Sequence, residues 1–171
     1  MKQKWTMVEL KEYWTLSSQE LDLAKSKSRK FRLAFAFLLK YFQTNMRFAT
    51  KEEMISLPVI NFISKQIGIH SPSFYVYDFS DQVAKLHQKQ IAQYFGFRSA
   101  TAEDGEHLVE WLAEKILPQK DSNLRSLIEV AYGYFRERRI KPFALERLKK
   151  YITSSMQRLS HAHQHLLQTK K

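Results

Sequence analysis

Residues 33–42 read LAFAFLLKYF, nine apolar side chains around a single lysine. A helix that is apolar on every side belongs inside a core, and this run is well short of the roughly 20 residues a membrane span needs. Around it, helix start and stop signals recur while strand signals hardly appear. Ser17-Ser18-Gln19-Glu20 and Thr50-Lys51-Glu52-Glu53 have the form of capping boxes, in which a hydroxyl takes an orphan N–H and a carboxylate reaches back. Pro58 suits the first turn of a short helix, and Gly68 is a natural left-handed stop for it. Ser71-Pro72 opens a further turn of helix. Ser80 is placed to cap a helix over residues 81–95 that stops at Gly96, with Val83, Leu86, Ile91, Tyr94 and Phe95 recurring at helical spacing.

Thr101 and Asp104 make a third capping box, ahead of a helix that ends near Pro118. Ser122 starts a helix reaching Arg139. After Pro142 a last helix runs from Ala144 onward, with Leu145, Leu148, Ile152, Met156, Leu159, His163 and Leu166 in a roughly heptad-like stripe. Only FYVYDF, residues 74–79, has the composition of a strand, and one strand makes no sheet. The pattern therefore predicts an all-α fold, a compact bundle of about seven or eight helices with a long C-terminal helix. It divides the chain into a helical domain over residues 1–143 and a helix over 144–171 that leads toward a region further downstream.

Composition removes several function classes. Hydrophobic residues are 44% and aromatics 13% of the 171, which marks a globular chain. There is no cysteine, so disulfides, thiolate nucleophiles and cysteine-ligated zinc are all excluded, and a reducing, cytoplasmic setting is expected. The first residues, MKQKWTMVELKEYW, lack the apolar run of a signal peptide. Paired carboxylates occur on the helix containing Glu103, Asp104, Glu106, Glu110 and Glu114, where they read as solvated surface acids. The four glycines are isolated and form no phosphate-cradling loop. His161 and His165 stand one helical turn apart, but no acid accompanies them, so no metal or cofactor is expected. No nucleophile elbow or catalytic triad can be assembled, and the chain reads as non-catalytic.

Charge is more informative. The net charge is +11, and it is unevenly spread: residues 101–122 hold six acids against two cations, residues 123–171 eleven cations against three acids. Three basic clusters stand out. They are Lys25, Lys27, Arg29, Lys30 and Arg32; then Lys85, His87, Gln88 and Lys89 with Arg98; then Arg136, Arg138, Arg139 and Lys141. Long cations suit phosphate oxygens, while Gln, His and Arg also read base edges. The second cluster lies on one helix, with Leu86, Ile91 and Phe95 expected to hold that helix to the core. A helix-turn-helix over residues 90–98 and the next helix is disfavoured, because the acidic helix would then have to enter the groove. Solvated charge is the plain alternative for each cluster, with Arg138 and Arg139 pairing to the acidic helix as one form of it.

Three blocks carry a family likeness. In order they are YWTLSSQELDLAKSKSRKFRLAFAFLLKYFQTNMRF, which ends in Arg47-Phe48, then YDFSDQVAKLHQKQIAQYFGFR, then YFRERRIKPFALERL. Together, over roughly residues 8–160, the chain resembles the N-terminal domain of the transposases of the Tn-three family of replicative, cointegrate-forming transposons. The resemblance implies a helical domain of a bacterial transposase that recognises double-stranded DNA at the transposon's terminal inverted repeats, with the catalytic acids on a separate downstream region. Carried over by position, it points to Lys85, His87, Gln88, Arg98, Arg136, Arg138 and Arg139, followed by Arg29, Lys30 and Arg32. Gln88 and Gln93 stand where the family pattern expects arginine, and Lys141-Pro142-Phe143-Ala144 replaces an expected threonine cap. Two other classes remain open on the residues alone. One is a protein-interaction domain with basic docking faces, separable by heparin and DNA binding; the other is a peripheral membrane protein, separable by liposome flotation.

Overall fold

The computed structural model describes residues 4–49, 53, 56–116 and 123–168, the last without the side chains of residues 162–168. The fold is all-α apart from one two-residue strand pair, with eight α-helices among the described residues. Contacts divide the chain into two compact units, Met1–Gly96 and Phe97–Lys171. This division falls inside the expected 1–143 block.

The first unit is organised by its most apolar sequence. Helix α1 (Met7–Trp14) and helix α2 (Ser18–Lys25) each open on a capping box, from Thr6 with Glu9 and from Ser17 with Glu20. A single 3₁₀ turn, Arg29–Phe31, leads into helix α3 (Arg32–Asn45), in which every residue from Leu33 to Phe42 is buried. All-round burial follows from all-round hydrophobicity. Helices α1, α2, α4 (Leu57–Ile67) and α5 (Gln82–Tyr94) surround α3, together with the 3₁₀ turns Arg29–Phe31 and Ser71–Val76. Trp14 stacks on Phe37 at 5.7 Å. Lys40, the one charge in the apolar run, meets buried Glu20 at 3.4 Å.

Gly68 ends α4 in the left-handed conformation at φ 66°, as its position predicts. Residues 74–79 are not a strand: Phe74 to Val76 lie in the 3₁₀ turn, held there by Pro72 at its start and by packing of Phe74 on Phe37. Asp81 rather than Ser80 caps α5, accepting from the Ala84 N–H at 2.7 Å. Ser80 instead donates to Asp78. The box expected from Thr50 lies outside the described residues except for Glu53, which pairs with Arg47.

In the second unit, strand β1 (Arg98–Ser99) runs parallel to strand β2 (Ile140–Lys141). Helix α6 (Ala102–Trp111) opens on the Thr101–Asp104 capping box and loosens into a π-helical turn, Leu112–Ile116; Pro118 lies outside the described residues. Helix α7 (Leu124–Glu137) is capped by Asn123, and Ser122 is again outside. Helix α8 (Leu145–Gln168) follows β2. Leu108, Leu112, Leu127, Ala131, Phe135, Ile140, Leu148 and Ile152 form the core, so the first turns of α8 are part of this unit's interior. Along the expected stripe Leu148 and Ile152 are buried, but buried Ser155 takes the next inward place and Met156 is exposed. His163 and Leu166 lie outside the described side chains.

Candidate nucleic-acid interface

The five cations of the first cluster separate into two roles. Lys27 is drawn inward: its Nζ donates to Gln90 Oε1 at 2.8 Å and sits 4.7 Å from the Phe35 ring centre. Arg32 donates through Nε to the Lys27 carbonyl at 2.9 Å. These two side chains tie the basic segment to itself and to α5. Lys25, Arg29 and Lys30 are exposed, with Lys30 Nζ 4.6 Å from the Phe31 ring centre.

Of the three apolar residues expected to hold helix α5 to the core, Ile91 is buried and Phe95 stacks on Phe42 at 5.8 Å, but Leu86 does not hold it. Ala84, His87, Ile91 and Ala92 are buried, whereas Leu86 is 53% exposed and Tyr94 is exposed as well. The i, i+3, i+7 spacing of Ala84, His87 and Ile91 sets the buried stripe, and Leu86 stands about 100° off it. His87 is 5% exposed. Its Nδ1 lies 2.8 Å from Tyr77 Oη, its ring stacks on Tyr77, and Phe31 and Phe35 meet it edge-on at 5.7 and 5.2 Å. Burial pushes the imidazole below its ordinary value, and the Lys27 charge adds to this. Burial also raises the Tyr77 phenol. His87 is therefore a neutral core residue and does not share the solvent face of Lys85 and Lys89. Those two lysines are exposed, and Gln88 is half-buried between the faces.

Arg98, grouped with α5 by sequence, belongs to the second unit. Its guanidinium forks onto Asp104, with NH1 to Oδ2 at 2.6 Å and NH2 to Oδ1 at 2.7 Å. Asp104 also accepts from the Thr101 N–H and hydroxyl, so one carboxylate closes the capping box and holds the arginine. Arg98 first, and the Thr101 donors after burial is set against them, hold this carboxyl far below the usual carboxylate range. Asp104 is thus no solvated surface acid, and the expected contribution of Arg98 to a basic face is partly offset by its partner. Nothing local in the sequence signals this pairing beyond the second oxygen that a capping aspartate leaves available.

The third cluster sits where α7 ends. Arg136, Arg138 and Arg139 are all exposed. Arg138 lies 3.7 Å over the Tyr134 ring, donates to the Tyr134 carbonyl at 3.1 Å, and comes within 3.8 Å of Glu137. Arg139 adopts φ 51°, a left-handed backbone that turns the chain into β2. Its carbonyl accepts from the Arg98 N–H at 3.1 Å, so the strand pair brings Arg98 beside the arginines at the end of α7. Cations at a helix C-terminus are favoured by the helix dipole. On the acidic helix Asp104 takes Arg98, and Glu110 meets Arg158 at 3.6 Å. Lys141 is half-buried, and burial pushes its ammonium below the ordinary lysine value.

Among the described residues no group of three His, Asp or Glu side chains is placed to hold a metal ion. His161 is exposed, and its expected partner His165 lies outside the described side chains. No helix among the described residues is long and apolar enough to cross a membrane. No curated protein matches the chain. One family pattern, described as a domain of unknown function (DUF4158), matches residues 1–155, a span that takes in the whole first unit and the second as far as Ser155 on α8. The chain belongs to the DUF4158 family.

Proposed function

We propose that this chain is a non-catalytic, sequence-specific DNA-binding domain of a bacterial transposase, which recognises the terminal inverted repeats of its transposon during DNA recombination. One observation carries the reading. Each unit displays exposed cations on a fixed backbone, Lys25, Arg29, Lys30, Lys85 and Lys89 in the first and Arg136, Arg138 and Arg139 in the second. Clustered cations on ordered elements suit a polyanion, and the groups differ in what they can do there. Exposed lysines act as point charges on phosphates, while the arginine forks also accept bidentate partners. The likeness of the three sequence blocks to the N-terminal domain of Tn-three family transposases supports DNA over other polyanions, and transposon ends over other DNA. In this reading the partner is double-stranded DNA in the cytoplasm, and chemistry belongs to the rest of the transposase chain.

A gel-shift comparison tests it. The chain is expected to shift a terminal-repeat duplex more strongly than a scrambled duplex, and neither to nick nor to join either one with magnesium present. Equal binding to both reduces the claim to a generic basic surface. Binding to neither, with heparin also ignored, returns the protein-docking alternative.

A further inference from the structure

The 3₁₀ turn Ser71–Val76 presents two large apolar side chains to solvent. Tyr75 is 66% exposed and Val76 79%. Their neighbours on either side are anchored: Phe74 is buried against Phe37 at 5.2 Å and Phe79 at 5.3 Å, and Tyr77 is buried against Phe31, Phe79 and His87. Side chains three apart eclipse in a 3₁₀ helix, so with Phe74 and Tyr77 both directed inward the two residues between them are held outward. The backbone is fixed as well. Ser71 Oγ donates to Asn61 Oδ1 at 2.6 Å, and the Tyr77 N–H to the Phe74 carbonyl at 3.2 Å. Tyr75 and Val76 are thus displayed on a rigid base.

The turn Arg29–Phe31 packs directly against this one. Phe31 of that turn meets Tyr77 edge-on at 5.8 Å, and exposed Arg29 and Lys30 lie on the same turn, in a segment, residues 25–32, that has five cations and no acid. The acids nearest Tyr75 and Val76 in sequence, Asp78 and Asp81, follow Tyr77 and are engaged by Ser80 and by the α5 N-terminus, and the acid nearest the cations, Asp22, lies back on α2. An anion is therefore favoured on the Arg29–Lys30 side. A partner for these two packed turns needs an apolar, flat face and a negative charge. A nucleotide has both. Two side chains on a six-residue turn are too small for an interfacial membrane anchor, which works through the long apolar face of an amphipathic helix.

Building on the DNA reading above, we infer that Tyr75, backed by Val76, is a stacking platform for a base displaced from the helical stack, with Arg29 and Lys30 on the adjacent phosphates. Base–aromatic stacking is tolerant of sequence, so this element senses distortion or an unpaired base and adds nothing to sequence readout.

The test uses the full chain and two duplexes, identical except that one carries a central unpaired 2-aminopurine. The wild-type chain binds the second duplex more tightly and quenches its emission. Tyr75→Ala with Val76→Ala removes the preference, by roughly ten-fold or more, and the quenching, while binding to the fully paired duplex is unchanged. Tyr75→Phe retains both, because only the ring is used. Arg29→Ala with Lys30→Ala weakens both duplexes alike. A preference that survives Tyr75→Ala with Val76→Ala overturns the inference. So does a wild-type chain that binds both duplexes equally, although the DNA reading then stands. A chain that binds neither duplex overturns both. Phosphatidylglycerol vesicle binding that depends on Tyr75 and Val76, with DNA binding independent of them, assigns the surface to lipid instead.

Discussion

His87 shows how one side chain decides the orientation of a helix. Counted as polar, it belongs outside with Lys85 and Lys89; with Tyr77 beside its Nδ1 and Phe31 and Phe35 at its edges, it belongs inside. Removing it leaves a cavity among aromatic rings and strands a buried phenol. His87→Ala is expected to lower stability by about 2–4 kcal/mol in urea unfolding, against about 0.5 kcal/mol or less for Lys85→Ala. The two variants should divide oppositely on DNA, with Lys85→Ala weakening binding to all sequences. The pH dependence has a definite sign. The folded state holds the imidazole below its unfolded value of about 6.5, so the unfolded chain binds more protons between the two values. The stability His87 contributes is complete above about pH 6.5 and is lost as pH falls from there toward the folded value. His87→Leu should flatten that part of the stability profile, as followed by thermal unfolding across pH. A His87→Leu profile identical in slope to wild type counts against a neutral core histidine.

At the scale of elements, caps and stops were legible and long-range partners were not. Ser17, Thr101, Gly68 and Gly96 sit where the sequence puts them, because a cap is a local bond between residues three apart. The bonds from Lys27 to Gln90 and from Tyr77 to His87 depend on how helices pack, and no local spacing signals them. The same limit hid the fork from Arg98 to Asp104, which ties β1 to the start of α6. Asp104→Asn should lower the thermal unfolding temperature and yet tighten DNA binding, since it removes the acid beside an exposed arginine. Lower stability with unchanged affinity would mean Arg98 is structural only. Two glycines offer a paired test of helix packing. A Cβ at Gly105 would overlap the Tyr151 ring, whereas one at Gly133 meets nothing within 4 Å. Gly105→Ala should therefore cost about 1–3 kcal/mol through overpacking between α6 and α8. Gly133→Ala should add about 0.5–1 kcal/mol through helix propensity. Chemical denaturation of both variants checks the opposite signs.

For the whole molecule, the charge map predicts a salt dependence. If the exposed cations of both units engage DNA, about five to eight phosphates are neutralised and the log–log slope of affinity against salt is roughly −5 to −7. Removing Arg136 or Lys89 should make that slope shallower by about one. Lys27→Ala should change it less than Lys89→Ala does, because Lys27 already donates to Gln90 and lies over Phe35. A wild-type slope near about −2 would mean that most of these charges are only solvated. The fold class and the positions of the clusters were legible in the sequence, but not which of their cations are anchored; burial and partners are what separate displayed charges from anchoring ones.

The partition at Gly96 has a consequence for how the protein comes to be made. Within the first unit, α1, α2, α4, α5 and the two 3₁₀ turns pack on α3, and each of them precedes Phe97 in the chain. During synthesis these partners of α3 are all made before the second unit begins, and units made first tend to fold first. The apolar run of α3 would otherwise be the most adhesive segment of the nascent chain. Here its covering helices emerge on both sides of it, and the last, α5, is within about fifty residues of its end, so the interval of exposure is only seconds at ordinary elongation rates of roughly 5–20 residues per second.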